Sequence, residues 1–183
     1  LSVIDHTSTS MGSRLLAHWL GNPIRSQKEL NERLDAVEYL IEDYRYEHHC
    51  ELLKNIGDIE RILARIALKS ARPRDLARLR DSLDLLPDLQ NQISKFDSTR
   101  LRQLSELIGQ HPDLSEQLNR SLIETPPMVI RDGGVIATGF DAELDELRAI
   151  SENAGQFLLD LEQSEREQTG ISTLKVGYNR VHG

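Results

Sequence analysis

The chain has 183 residues, 38% of them apolar, 4% aromatic and 28% charged, with a net charge of −8. That length suits one domain, or one domain and part of another, and the acidic balance excludes a whole-chain electrostatic case for binding nucleic acid, so any basic surface must be local. One cysteine, Cys50, excludes an internal disulfide and fits a reducing compartment, and no run approaches the roughly 20 apolar residues of a membrane span or reads as a signal peptide.

Frequent Leu, Glu, Arg and Asp favour helices over sheet, and the chain bears this out from its start. Thr7, Ser8, Thr9 and Ser10 form a polar cap before a helix over 11–20, whose buried side carries Leu15, Leu16, Trp19 and Leu20 and which Gly21-Asn22-Pro23 ends. Ser26 and Glu29 have capping-box spacing. The helix they open carries Leu30, Leu34, Val37, Leu40 and Ile41 to about residue 43. A further helical run covers 47–55. Gly57-Asp58 restarts the chain into a stripe of Ile59, Ile62, Leu63 and Ile66. Pro73 suits the first turn of the next helix, which shows Leu76, Leu79, Leu83 and Leu86 and is expected to stop at Pro87, with a shorter helix following to about residue 95. Phe96-Asp97-Ser98 is a turn and cap, Leu101, Leu104, Leu107 and Ile108 form another stripe, and Pro112 opens a helix with Leu114, Leu118 and Leu122.

The pattern then changes. The runs 128–130 and 135–137 are short and β-like around Asp132-Gly133-Gly134, a hairpin signal. Next comes a helix over 141–168, with Leu144, Leu147, Ile150, Ala154, Leu158 and Leu161 at steps of three and four. At 1.5 Å per residue it would reach roughly 40 Å, the dimension of a rod joining two places. A strand-like run over 171–183 follows. The expected class is mainly α: a multi-helix core, a long rod helix, one short β-hairpin and a truncated terminal strand. Because residue 1 is Leu and the terminal run has no partner strand, the chain reads as a segment of a longer protein.

Few residues suggest chemistry. The stretch 61–80 holds Arg61, Arg65, Lys69, Arg72, Arg74, Arg78 and Arg80 against Asp75 alone. It reads either as an anion-binding patch or, preferably, as a solvated face paired with acidic helices, since no aromatic residues interleave it for base stacking. His48-His49-Cys50 has metal-ligand types, but neighbours on a helix point about 100° apart and no other cysteine completes a zinc set. Asp141, Glu143, Asp145 and Glu146 sit where a helix dipole favours carboxylates. Gly133, Gly134 and Gly139 lack the lysine and trailing helix of a phosphate loop. No catalytic, metal or cofactor site is expected. Lys175, Asn179, Arg180 and His182 could touch phosphate oxygens from an exposed strand, against the plainer reading of an ordinary polar face.

Several motifs in one order then resemble a known family. Asp5-His6-Thr7 with Met11-Gly12-Ser13-Arg14-Leu15-Leu16-Ala17-His18-Trp19-Leu20 is followed by Glu32-Arg33-Leu34-Asp35-Ala36-Val37, Asp58-Ile59-Glu60-Arg61-Ile62-Leu63-Ala64-Arg65 and Arg72-Pro73-Arg74-Asp75-Leu76. Arg131-Asp132-Gly133-Gly134-Val135-Ile136 leads into Gly139-Phe140-Asp141-Ala142-Glu143-Leu144-Asp145-Glu146-Leu147-Arg148, and Leu174-Lys175-Val176-Gly177-Tyr178-Asn179-Arg180-Val181-His182-Gly183 completes the set. Across essentially its whole length the chain resembles the central part of the MutS DNA mismatch-repair proteins. The resemblance implies a helical core and lever region over 1–122, a hairpin and long lever helix over 123–168, and the start of a DNA clamp over 169–183, with Lys175, Asn179 and Arg180 as contacts to the backbone of double-stranded DNA. It further implies a homodimer, a MutL-like partner, a cytoplasmic, nucleoid-associated setting, and ATP and Mg bound by an ATPase that lies outside these residues. The segment itself is then expected to need no cofactor and to catalyse nothing. The alternative is a freestanding helical module for protein–protein interaction.

Overall fold

Helices dominate because the leucine-rich stripes bury against each other, and the first of them are set by their caps. A computed structural model describes residues 3–177. Thr9 opens α1 (Ser10–Gly21) by accepting from the Gly12 amide, and Ser26 opens α2 (Gln27–Ile41) by accepting from the Glu29 amide at 3.3 Å. Then come a 3₁₀ turn (Glu42–Tyr44), α3 (Tyr46–Lys54), α4 (Ile59–Ala67), α5 (Pro73–Ser94), α6 (Thr99–Leu107), α7 (Pro112–Ser121), a second 3₁₀ turn (Ile130–Asp132) and α8 (Ala142–Thr169). The class is mainly α, as the composition implies. The chain divides into two compact units, 1–137 and 138–183.

The core of the first unit joins α4, α5 and α7. Ile62, Leu79, Leu83, Leu118 and Leu122 bury against one another, with Ile59, Leu76, Leu86 and Val135 packed around them. The α4 entry is drawn close to α5 by one serine. The buried Ser82 hydroxyl accepts from the Gly57 amide at 2.8 Å and donates to the Arg78 carbonyl at 2.6 Å. A Cβ on Gly57 would lie 2.6 Å from Arg78 Cγ, so this approach requires glycine.

Two expectations are corrected. Pro87 does not end its helix: α5 runs unbroken from Pro73 to Ser94. Proline forfeits one ladder bond, but packing on either side holds the helical path. Leu83 and Leu86 join the core before it, Leu89 is buried after it, and the Gln90 amide donates to the Ser105 and Ile108 carbonyls at 3.0 and 2.9 Å. The hairpin does not form between 128–130 and 135–137 either. Its first run turns into the 3₁₀ segment, closed by the Gly133 amide on the Ile130 carbonyl, with Gly133 and Gly134 at φ of 71° and 64°. Its second run pairs with the end of α7 instead, through an antiparallel bridge of Leu122 with Ile136, the Ile123 amide on Val135 and the Ala137 amide on Ser121. Burial decides the choice. This pairing packs Val135 against the core cluster, whereas Met128 and Ile130 are exposed.

In the second unit, α8 is a continuous 28-residue helix. Asp141 caps its start by accepting from the Leu144 amide at 2.9 Å, and Gly170, in the left-handed region at φ 69°, ends it with its amide on the Arg166 carbonyl.

Candidate functional site

The residues expected to meet DNA begin immediately after α8, where the chain reverses onto the helix it has just left. Arg166 and Glu162 stand one helical turn apart and pair at 2.6 Å. Each also takes a backbone group of the returning chain: Arg166 Nε donates to the Leu174 carbonyl at 2.7 Å, and Glu162 Oε2 accepts from the Val176 amide at 3.0 Å. The Leu174 amide closes the turn on the Ile171 carbonyl. Leu174 and Val176 are half-buried, and Lys175 between them is exposed. The turn therefore holds the Lys175 ammonium in solvent while fixing its backbone on both sides.

This arrangement explains why no terminal strand is present over 174–177. The Leu174 carbonyl and the Val176 amide, which a neighbouring strand would take, are already held by α8 side chains. Asn179, Arg180 and His182, the other predicted contacts, lie outside the described residues. Glu162 and Arg166 are the residues sequence reasoning missed. Their signal was an i, i+4 acid–base pair in the last turns before Gly170, a spacing shared by many exposed helix pairs.

The basic stretch over 61–80 is largely taken up in holding the first unit together. Arg65 pairs with Asp75 through two hydrogen bonds of 2.9 and 2.6 Å, and this guanidinium, with the Arg72 amide, holds the Asp75 carboxyl below its ordinary range. Arg74 donates to the Pro126 carbonyl at 3.2 Å, and Arg80, only 8% exposed, donates to the Ile123 and Glu124 carbonyls at 3.2 and 3.0 Å. Arg14, which the sequence did not single out, clasps the α4 entry. It bonds both Asp58 oxygens at 2.8 and 2.7 Å and reaches Glu60 at 2.6 Å. Arg14 lowers the Asp58 pKa to about 2, and Asp58 and Glu60 together raise that of Arg14.

The remaining candidates have structural partners. His49 Nδ1 lies 2.9 Å from the Arg45 carbonyl, and its ring packs against Phe96. Asp145 accepts from the Gly139 amide at 2.6 Å and pairs with Arg148, so the acidic start of α8 serves its own first turns. Among the described residues no three His, Cys, Asp or Glu side chains gather in a way that could hold a metal ion. No described helix is long and apolar enough to cross a membrane.

Residues 1–175 match the family model of MutS domain III. The chain belongs to the MutS family. The match covers the first compact unit and reaches Lys175 in the second, so all of α8 falls within MutS domain III. The chain is accordingly a segment of a MutS-like mismatch-repair protein.

Proposed function

We propose that this MutS segment is mechanical: α8 is a lever that couples an ATPase elsewhere in the parent protein to a DNA clamp, and Lys175 meets the DNA backbone at the lever's far end. The observation that carries this reading is α8 itself, capped at both ends and tied to the turn that follows it. At 1.5 Å per residue it reaches about 40 Å. A helix joined in this way to its exit moves that exit as it tilts, because Glu162 and Arg166 carry the Lys175 backbone with them. Leu147 and Ile150, on the predicted stripe, are exposed, which suits a second lever helix in the parent protein bracing α8.

Lys175 supplies charge without a geometry that could read bases, so its contact is nonspecific. Asn179 and Arg180 extend the same contact in this reading. The residues here do not suit ATP or Mg. Gly133 and Gly134 stand in a turn with nothing within 4 Å of a Cβ on either, and no lysine-bearing helix follows them. In this reading ATP and Mg are bound by the ATPase of the parent protein, which acts as a homodimer with a MutL-like partner.

The test uses that intact mismatch-repair protein. Gly155 lies inside α8 with open space around it. Gly155→Pro costs about 3 kcal/mol of helix stability and is expected to leave ATP binding intact while DNA release no longer follows it; Gly155→Ala keeps the coupling. Nucleotide-dependent DNA release by Gly155→Pro at the wild-type rate would rule out the lever. Lys175→Ala is expected to lower the slope of log affinity against log salt by about 0.9, one phosphate contact, and an unchanged slope removes Lys175 from the interface.

A further inference from the structure

The first unit carries a second surface whose chemistry is opposite to that of a DNA clamp. Between α2 and the start of α6 lies a groove of about 650 Å³. Its α2 wall presents Glu32, Asp35 and Glu38, the 3₁₀ turn that follows adds Glu42, and Asp97 lines it from the turn before α6. Glu42 is paired with Arg45 and Glu32 stands 3.9 Å from Lys28, but Asp35 and Glu38 are exposed with no ion-pair partner among the described residues. Arg100, the lining cation, is turned to Gln103 at 3.4 Å.

Beside this acidic strip the same helix exposes an apolar ridge. Leu34, Val37 and Ile41 are 64%, 51% and 60% exposed. Their spacing of three and four places them along one stripe of α2, and at 100° per residue Glu38 stands next to that stripe with Asp35 and Glu42 beyond it. An apolar ridge edged by unpaired carboxylates selects its occupant. Phosphate-bearing nucleic acid is repelled. A partner helix with leucine-like residues at i, i+3 and i+7 and lysine or arginine along one flank would cover the ridge and neutralise the strip at once.

We propose that the α2 face and its groove form a docking surface for a basic amphipathic helix of a protein partner. The surface lies in the first unit and is independent of the lever reading, since neither α8 nor Lys175 takes part.

The experiment measures fluorescence anisotropy of a labelled synthetic peptide of about 15 residues, with leucines at helical spacing and flanking lysines, titrated with the 183-residue chain. The comparison is between Asp35→Lys/Glu38→Lys and Glu143→Lys/Glu146→Lys, which have the same net charge. The first pair is expected to weaken binding at least about tenfold and the second less than about twofold. Leu34→Ser/Ile41→Ser, which keeps every charge, is expected to weaken it by about tenfold as well. Equal affinities for the two charge variants, or equal binding of a peptide with glutamates in place of the lysines, would overturn the proposal. So would a concentration-dependent dimer, in sedimentation of the chain alone, that Leu34→Ser/Ile41→Ser abolishes, because the ridge would then belong to a second copy. Far-UV circular dichroism of each variant must match the wild type, and each of the six substitutions can be made singly if one pair fails to fold.

Discussion

Replacing Arg80 by alanine tests whether the α7–α8 connection is held to the first unit by one guanidinium. Arg80 is 8% exposed, and its two terminal nitrogens donate to the adjacent carbonyls of Ile123 and Glu124, while Asp81 balances its charge at 2.9 Å. A hydrogen bond to a charged group contributes about 1.5–3 kcal/mol, and the carbonyls left behind are partly buried. Arg80→Ala is therefore expected to destabilise by about 3 kcal/mol, or roughly 10 °C in Tm for a unit of this size. Arg80→Lys should recover less than half of that, because one ammonium cannot fork between two carbonyls as a planar guanidinium does. Urea unfolding followed by far-UV circular dichroism reads the global loss. Amide exchange at Ile123 and Ala137, which close the bridge to Val135 and Ser121, reads the local one. A loss under about 1 kcal/mol, or a lysine variant as stable as wild type, would refute the assignment.

Other outcomes follow from the same contacts. Ile62→Ala, at the 2%-exposed centre of the core, is expected to cost about 2–5 kcal/mol in the same urea titration. Asp58 has a folded pKa of about 2 against an ordinary 3.8, so its stabilising effect is fully present above the ordinary value and is lost as pH falls from about 4 towards 2; Asp58→Asn should flatten that acid limb of an unfolding-versus-pH curve. Gly155→Ala is expected to raise the stability of α8 by up to about 1 kcal/mol, read as slower amide exchange across the helix. Glu162→Gln should speed amide exchange at Val176 while leaving α8 intact.

Helix positions were legible because their signals are local. Ser26, Asp58, Pro73, Pro112, Asp141 and Gly170 each mark a boundary through their own backbone or side-chain chemistry, and the structure places helix ends at all of them. Pro87 and the 128–137 region were misread because distant residues decide them. The helix survives Pro87 through contacts with α6 and the core, and 135–137 pairs with 121–123 because Val135 then packs, half-buried, against the leucine core. At the candidate site, Lys175 could be named from its residue type, but the carboxylate and guanidinium that hold its backbone could not. Their function depends on a chain reversal that exists only in the folded chain. For the arginines over 61–80 the sequence favoured a face paired with acid, but it could not show that Arg74 and Arg80 direct their charge to carbonyls some forty to fifty residues away.

The attachment of α1 has a consequence for how the first unit comes apart. None of its residues is buried. It is held by Arg14 on Asp58 and Glu60 and by Arg33 lying 4.1 Å over the Trp19 ring. Contacts of this kind weaken with ionic strength and with acid, while the leucine core of α4, α5 and α7 does not. The α1 helix is thus expected to loosen with salt ahead of the rest of the unit. Because Trp19 is the chain's only tryptophan, its fluorescence would report that release as a transition of its own, preceding the loss of helicity.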